Sequence, residues 1–148
     1  MQLIFGSWLF WAVLAAVLAA VFAALTAIFA KVGVAEINSN FATFLRTIVV
    51  VVALGGLVWI TGETQNVGSM SARTWVFLIL SGLATGASWL CYFRALKLGD
   101  ASQVAPIDKL SVVLVAVIAA IFLGEQLSLT GWAGVGLIAS GAVLVALA

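Results

Sequence analysis

Long apolar runs separated by short polar punctuation fill almost the whole chain. The first extends from about Trp8 to Phe29 and stops at Lys31-Val32-Gly33. The second covers about Ser39 to Ile60, after the polar turn Glu36-Ile37-Asn38. A longer polar loop, Thr61 through Ser71, leads to a third run from about Arg73 to Leu96. A short basic turn follows, then a fourth run from about Ser102 to Leu123 and a fifth from about Thr130 to Leu147. About 20 apolar residues at 1.5 Å per residue cross the roughly 30 Å hydrocarbon layer of a bilayer. None of the runs alternates apolar and polar residues as a barrel strand must, and a helix satisfies its own backbone hydrogen bonds in lipid. The pattern predicts an all-α integral membrane protein. It places one domain over residues 1–148, with five transmembrane helices at about 8–29, 39–60, 73–96, 102–123 and 130–147.

Composition strengthens that reading and removes several functions. Hydrophobic residues make up 66% of the chain and charged residues 7%, where soluble domains carry about 25% charge. The net charge of +1 offers no basic footprint for nucleic acid. There is no histidine, and Cys91 is the single cysteine. Those counts exclude an intrachain disulfide, a zinc site and Ser-His-Asp or Cys-His catalysis. No GxxxxGK[ST] loop is present to bind a nucleotide. The expectation is a protein that is not an enzyme and carries no cofactor or metal. The opening MQLIFGSW lacks a basic n-region and its apolar run is too long for a signal peptide, so it is expected to remain as a helix.

Flanking charge sets the expected sidedness. An odd number of spans puts the termini on opposite faces. The face holding the N-terminus carries one flanking base, Arg73, and the other carries Lys31, Arg94 and Lys97. Basic loops favour the cytoplasm, which predicts an inner-membrane protein with its N-terminus outside and its C-terminus cytoplasmic. Trp8, Trp11, Trp59, Trp75 and Trp132 all fall toward the non-basic face, as an interfacial aromatic belt.

Small residues recur at helical spacing. Ala15, Ala19, Ala23 and Ala27 are four apart on the first span, with Ala12, Ala16, Ala20 and Ala24 beside them. Gly82 and Gly86 form a GxxxG on the third span, and Gly136 and Ser140 form a small-xxx-small pair on the fifth. Such stripes let helix backbones approach closely in lipid, within one chain or between two.

Polar residues inside the spans point to function. Ser81, Thr85, Ser88 and Tyr92 share one face of the third span, and Ser39, Thr43 and Arg46 share one face of the second. Arg46 lies about 10 Å along its helix from Ser39, and Asp108 about 9 Å from Ser102. Both helices start from the same membrane face, so Arg46 and Asp108 are placed at one depth and expected to pair. Lys109 would point roughly 100° away from Asp108. Charge at membrane depth is expensive and marks substrate or proton pathways. The expected pathway residues are Arg46, Asp108, Lys109, Thr85, Ser88, Trp89 and Tyr92, with Asp108 the candidate proton carrier. Two cations against one carboxylate favour an anionic or zwitterionic ligand. The competing expectation makes Arg46–Asp108 a structural ion pair and the Ser/Thr stripe interhelical glue, as in a non-transporting membrane subunit or a lipid-carrier accessory protein.

The segment Tyr92-Phe93-Arg94-Ala95-Leu96-Lys97-Leu98-Gly99-Asp100-Ala101-Ser102 resembles the Y-x-x-A-L-x-x-G-x-A-S turn of the EamA-type drug/metabolite transporter superfamily. The resemblance continues through Val104-Ala105-Pro106, Leu123-Gly124-Glu125, Gly131-Trp132-Ala133-Gly134 and Leu137-Ile138-Ala139-Ser140-Gly141. It implies a small secondary transporter, an exporter of a small organic metabolite or drug working by alternating access. Two departures stand out. The family often has a proline near Ser111, whereas here the single proline is Pro106. Typical members also carry two five-helix repeats, of opposite topology by parity, and this sequence supplies one. A homodimer in membrane lipid is therefore expected, antiparallel by the resemblance and parallel by the charge bias.

Overall fold

The structure is a computed structural model that describes the backbone of residues 2–148 and the side chains from residue 9 onward. Trp8, expected in the aromatic belt, falls outside the described side chains. The helices are α1 (Gln2–Val34), α2 (Ser39–Thr61), α3 (Ala72–Leu98), α4 (Ala101–Asp108), α5 (Leu110–Ile118) and α6 (Leu129–Leu147). A π-helical turn, Ala119–Leu123, continues α5, and a 3₁₀ turn, Val67–Ser69, lies in the loop before α3. There is no strand among the described residues. Taking α4, α5 and the π turn together, five helical segments are long and apolar enough to cross a membrane: Leu9–Val34, Ser39–Thr61, Ala72–Leu98, Ala101–Leu123 and Leu129–Leu147.

The starts of α2, α3 and α6 each have a local cause. The first N–H groups of a helix lack partners, and a polar side chain just before them supplies one. Asn38 Oδ1 accepts from the Asn40 amide at 2.9 Å, Ser71 Oγ from Thr74 at 3.1 Å and Ser128 Oγ from Gly131 at 3.2 Å. α2 ends at Gly62 and the π turn at Gly124, both with φ of 68°, a left-handed conformation that glycine adopts without a Cβ clash.

The fourth span corrects the expectation of one continuous helix over 102–123. Pro106 has no N–H and removes a backbone bond from the middle of the span. Around it the pattern tightens: Lys109 N donates to the Pro106 carbonyl at 3.1 Å and Val112 N to the Lys109 carbonyl at 3.0 Å. The helix breaks at Lys109 and restarts at Leu110. The bend that the family motif places near Ser111 is thus made a few residues earlier, at the charged pair.

Packing is concentrated at one end. Val34 is 1% exposed, Leu96 0% and Phe93 3%, and with Ala30 and Ala42 they form the core, flanked by Tyr92, Ala101 and Val104. These residues come from the end of α1, the start of α2, the end of α3 and the start of α4, which all meet at the basic face. Lys31 locks that joint. Its ammonium donates to the Leu96 carbonyl at 2.9 Å and the Gly99 carbonyl at 2.7 Å, closing the orphan carbonyls at the end of α3. Lys97 donates across to the Ile37 carbonyl.

The opposite end is open. α4 packs on α3, α1 and α6, whereas among the described residues α5 packs on α6 and its backbone does not come close to that of α1, α2 or α3. The described parts of α1 and α6 are likewise apart in their backbones. The accessible surface is 11481 Å², against roughly 7000 Å² for a compact folded chain of this mass. A methyl group built on Gly82, Gly86 or Gly136 meets nothing within 4 Å, because the faces carrying them look outward. Ser140 Oγ bonds back to the Gly136 carbonyl at 2.8 Å and stays exposed.

Candidate substrate cavity

The open end leaves a cavity of about 330 Å³ beneath the splayed helices. α1 contributes Ala23 and Thr26, and α2 contributes Arg46. Ser88, Trp89 and Tyr92, one helical turn of α3, form a second wall. The break in the fourth span supplies Asp108 and Lys109, followed by Ser111 on α5. Asp108 is the last residue of α4, Lys109 is the interruption itself, and Ser111 is the second residue of α5.

The expected pathway residues therefore meet in one place, with one exception. Thr85 is exposed and its hydroxyl bonds to the Ser81 carbonyl of its own helix at 2.9 Å. It does not line the cavity. Its register still puts it on the face of α3 that carries Ser88 and Tyr92, one turn further toward the open end.

The expected Arg46–Asp108 ion pair does not form. The Arg46 guanidinium carbon lies 4.0 Å from the centroid of the Trp89 ring and 5.5 Å from that of Phe93, a cation–π contact. Asp108 instead holds Lys109, with Oδ2 and Nζ 3.3 Å apart. Topology gives the reason. α2 packs on α3 and α1 but not on α4, so the aromatic face of α3 intercepts Arg46 before it reaches Asp108. The lysine stem also folds back across the break, so the adjacent pair is joined rather than directed apart.

Among the described residues Arg46 makes no ion pair and no hydrogen bond through its guanidinium nitrogens. The cavity therefore holds one neutralised pair and one cation that lies against an aromatic ring with no ion pair or hydrogen bond to its N–H groups among the described residues. Tyr92 and Trp89 are half-buried beside it, and Asp108 is 35% exposed.

Thr26 and Ser111 were not anticipated as lining residues. Thr26 carried a signal: it is the single hydroxyl residue in the Ala-rich run of the first span. Ser111 carried none, because only the break at Lys109 turns it inward. No group of His, Cys, Asp and Glu capable of holding a metal exists among the described residues.

A charged cavity at the break of a membrane-spanning helix, within a bundle of five apolar spans, is the arrangement of a membrane transporter. The chain belongs to the EamA-like transporter family, which it matches over residues 10–147. A protein of Sinorhizobium sp described as an uncharacterized transporter in the cobO 3' region is 60% identical over 140 residues, covering 95% of this chain and 96% of that one. No solved structure matches the chain.

Proposed function

We propose that the protein is a small secondary transporter that exports a small organic metabolite or drug by alternating access, working as a dimer in the inner membrane. The observation that carries this reading is the cavity at Arg46, Trp89, Tyr92, Asp108 and Lys109, placed where the bundle is left open. A polar cavity facing hydrocarbon is costly, and no helix among the described residues closes over it. A second copy completes the enclosure. The charge bias of Lys31, Arg94 and Lys97 supports a cytoplasmic C-terminus.

The mechanism follows from the Asp108–Lys109 contact. With Asp108 ionised, Lys109 is held across the break. Protonation of Asp108 removes the counter-charge and releases Lys109, and with it the constraint between α4 and α5. α5 packs on α6 and on none of the other long helices among the described residues, whereas α6 is also held by α4, so α5 pivots about Lys109 against α6 while α4, α6 and the packed end stay fixed. Proton binding and cavity opening are thereby coupled at one residue.

Reconstitution tests this. Wild-type protein alone in proteoliposomes is expected to move an organic solute in response to a pH gradient. Asp108→Asn is expected to abolish the pH-driven component while the variant elutes and melts like wild type. Unchanged transport in that variant removes Asp108 from the mechanism. Failure of the wild-type protein to move any solute favours the non-transporting membrane subunit.

A further inference from the structure

We infer that the transported ligand is an amphipathic organic anion: its oxyanion head sits on Arg46 beside Trp89, and its apolar tail lies in a groove between α1 and α6. The inference rests on the transport reading for its biological meaning, but it concerns a binding site that can be measured without transport.

The head site follows from charge. Lys109 and Asp108 neutralise each other at 3.3 Å, which leaves Arg46 as the uncompensated charge of the cavity. The Arg46 guanidinium carbon lies 4.0 Å from the centroid of the Trp89 ring, and no ion pair or hydrogen bond among the described residues uses its N–H fork. That fork matches a carboxylate or phosphate in a bidentate contact. A cationic ligand meets no free carboxylate there.

The tail site follows from shape. A groove of about 800 Å³ runs between α1 and α6, whose backbones stay apart among the described residues. Its walls are the alanines at 19, 23 and 27 of α1 against Leu137, Ile138 and Val145 of α6. The head cavity and the groove adjoin, because Ala23, Tyr92 and Lys109 line both. The alanine stripe that reads in sequence as a helix-packing face is here the smooth wall of this groove. Cavity and groove each fall within the roughly 300–1000 Å³ range of sites for small organic ligands.

The test is equilibrium displacement of a radiolabelled alkyl anion from the full-length protein in nanodiscs, with empty nanodiscs subtracted to remove partitioning. Two head chemistries are compared, alkyl carboxylates and alkyl phosphates, each from four to ten carbons, with decyltrimethylammonium as the cationic control. A soluble acid is the source if the carboxylates compete, and a lipid headgroup if only the phosphates do. In the series that binds, the ten-carbon anion is expected to bind at least about tenfold more tightly than the four-carbon one, with no displacement by the cation. Arg46→Gln is expected to weaken every anion by about tenfold or more. Gly141 lines the groove, and a Cβ built on it meets nothing within 4 Å. Gly141→Phe is therefore expected to fill the groove and abolish the chain-length dependence, leaving four-carbon binding intact.

Equal displacement by the cation, or equal binding at four and ten carbons in wild type, overturns the inference without any variant. A chain-length dependence that survives Gly141→Phe, with loss of self-association, also overturns it, because a second copy then fills the groove. Binding as described by a protein that moves no solute upholds the site and refutes the transport reading instead.

Discussion

Arg46 costs the membrane domain a charge and receives an aromatic face in return, so its neighbours define what it can do. Replacing Trp89 with leucine removes a cation–π contact worth about 1 kcal/mol at a half-exposed site and frees the guanidinium to move. The expected outcome is a severalfold loss in ligand affinity with little change in melting temperature, read by displacement and by thermal unfolding in detergent. Lys31 is a different kind of residue. It was legible as a topology-setting base, yet it also closes two carbonyls at the end of α3. Lys31→Met is expected to destabilise the protein by about 2 kcal/mol, since hydrogen bonds to a charged group contribute roughly 1.5–3 kcal/mol each and this one is partly solvated. A fall in melting temperature without a change in ligand selectivity would match that role. Sequence spacing placed Arg46 and Asp108 at one depth and could not reveal that Trp89 stands between them. Depth is set along one helix, whereas pairing depends on which helices are neighbours.

Among the elements, the fourth span decides the character of the molecule. A continuous helix would carry Asp108 and Lys109 on different faces and bury neither beside Arg46. Pro106 interrupts the hydrogen-bond ladder, and the break falls three residues later at Lys109. Pro106→Ala restores a donor to the ladder and is expected to straighten the span. Amide exchange across residues 107–112 should slow by about tenfold, and transport should fall because α5 loses its pivot. Unchanged exchange would mean that the charged pair, not the proline, makes the break. The sequence announced the proline but not the consequence. A proline in a membrane helix is tolerated when neighbouring groups satisfy the freed carbonyl, so its presence alone fixes neither a break nor its place.

At the scale of the whole molecule, the packed end and the open end divide the labour. Core residues around Leu96 hold α1 to α4 together at the basic face, α6 packs on α4, and the far half of the fourth span has α6 as its one neighbouring long helix among the described residues. An open cavity and outward-facing glycines are both accounted for if two copies meet. Gly86→Leu is expected to leave the fold of each copy intact, as the added carbons meet open space, while reducing cross-linked dimer severalfold in native membranes. Loss of the folded monomer instead would place Gly86 in an intrachain contact. Cys91, exposed and unpaired, provides a labelling site for following either outcome in the same sample.

The sequence by itself determined the lipid environment, the five spans, the family and six of the nine residues that line the cavity. Hydrophobic length is a property of the chain in one dimension, and an ionisable group inside such a run is conspicuous wherever the helices go. Only the tertiary structure decided that Arg46 stacks rather than pairs, that Lys109 belongs to Asp108, that Thr85 stays outside, and that the alanine stripe walls a groove. These outcomes depend on which helices touch. In lipid, apolar surface gains nothing by meeting other apolar surface, so hydrophobic pattern marks what enters the membrane but not which face meets which.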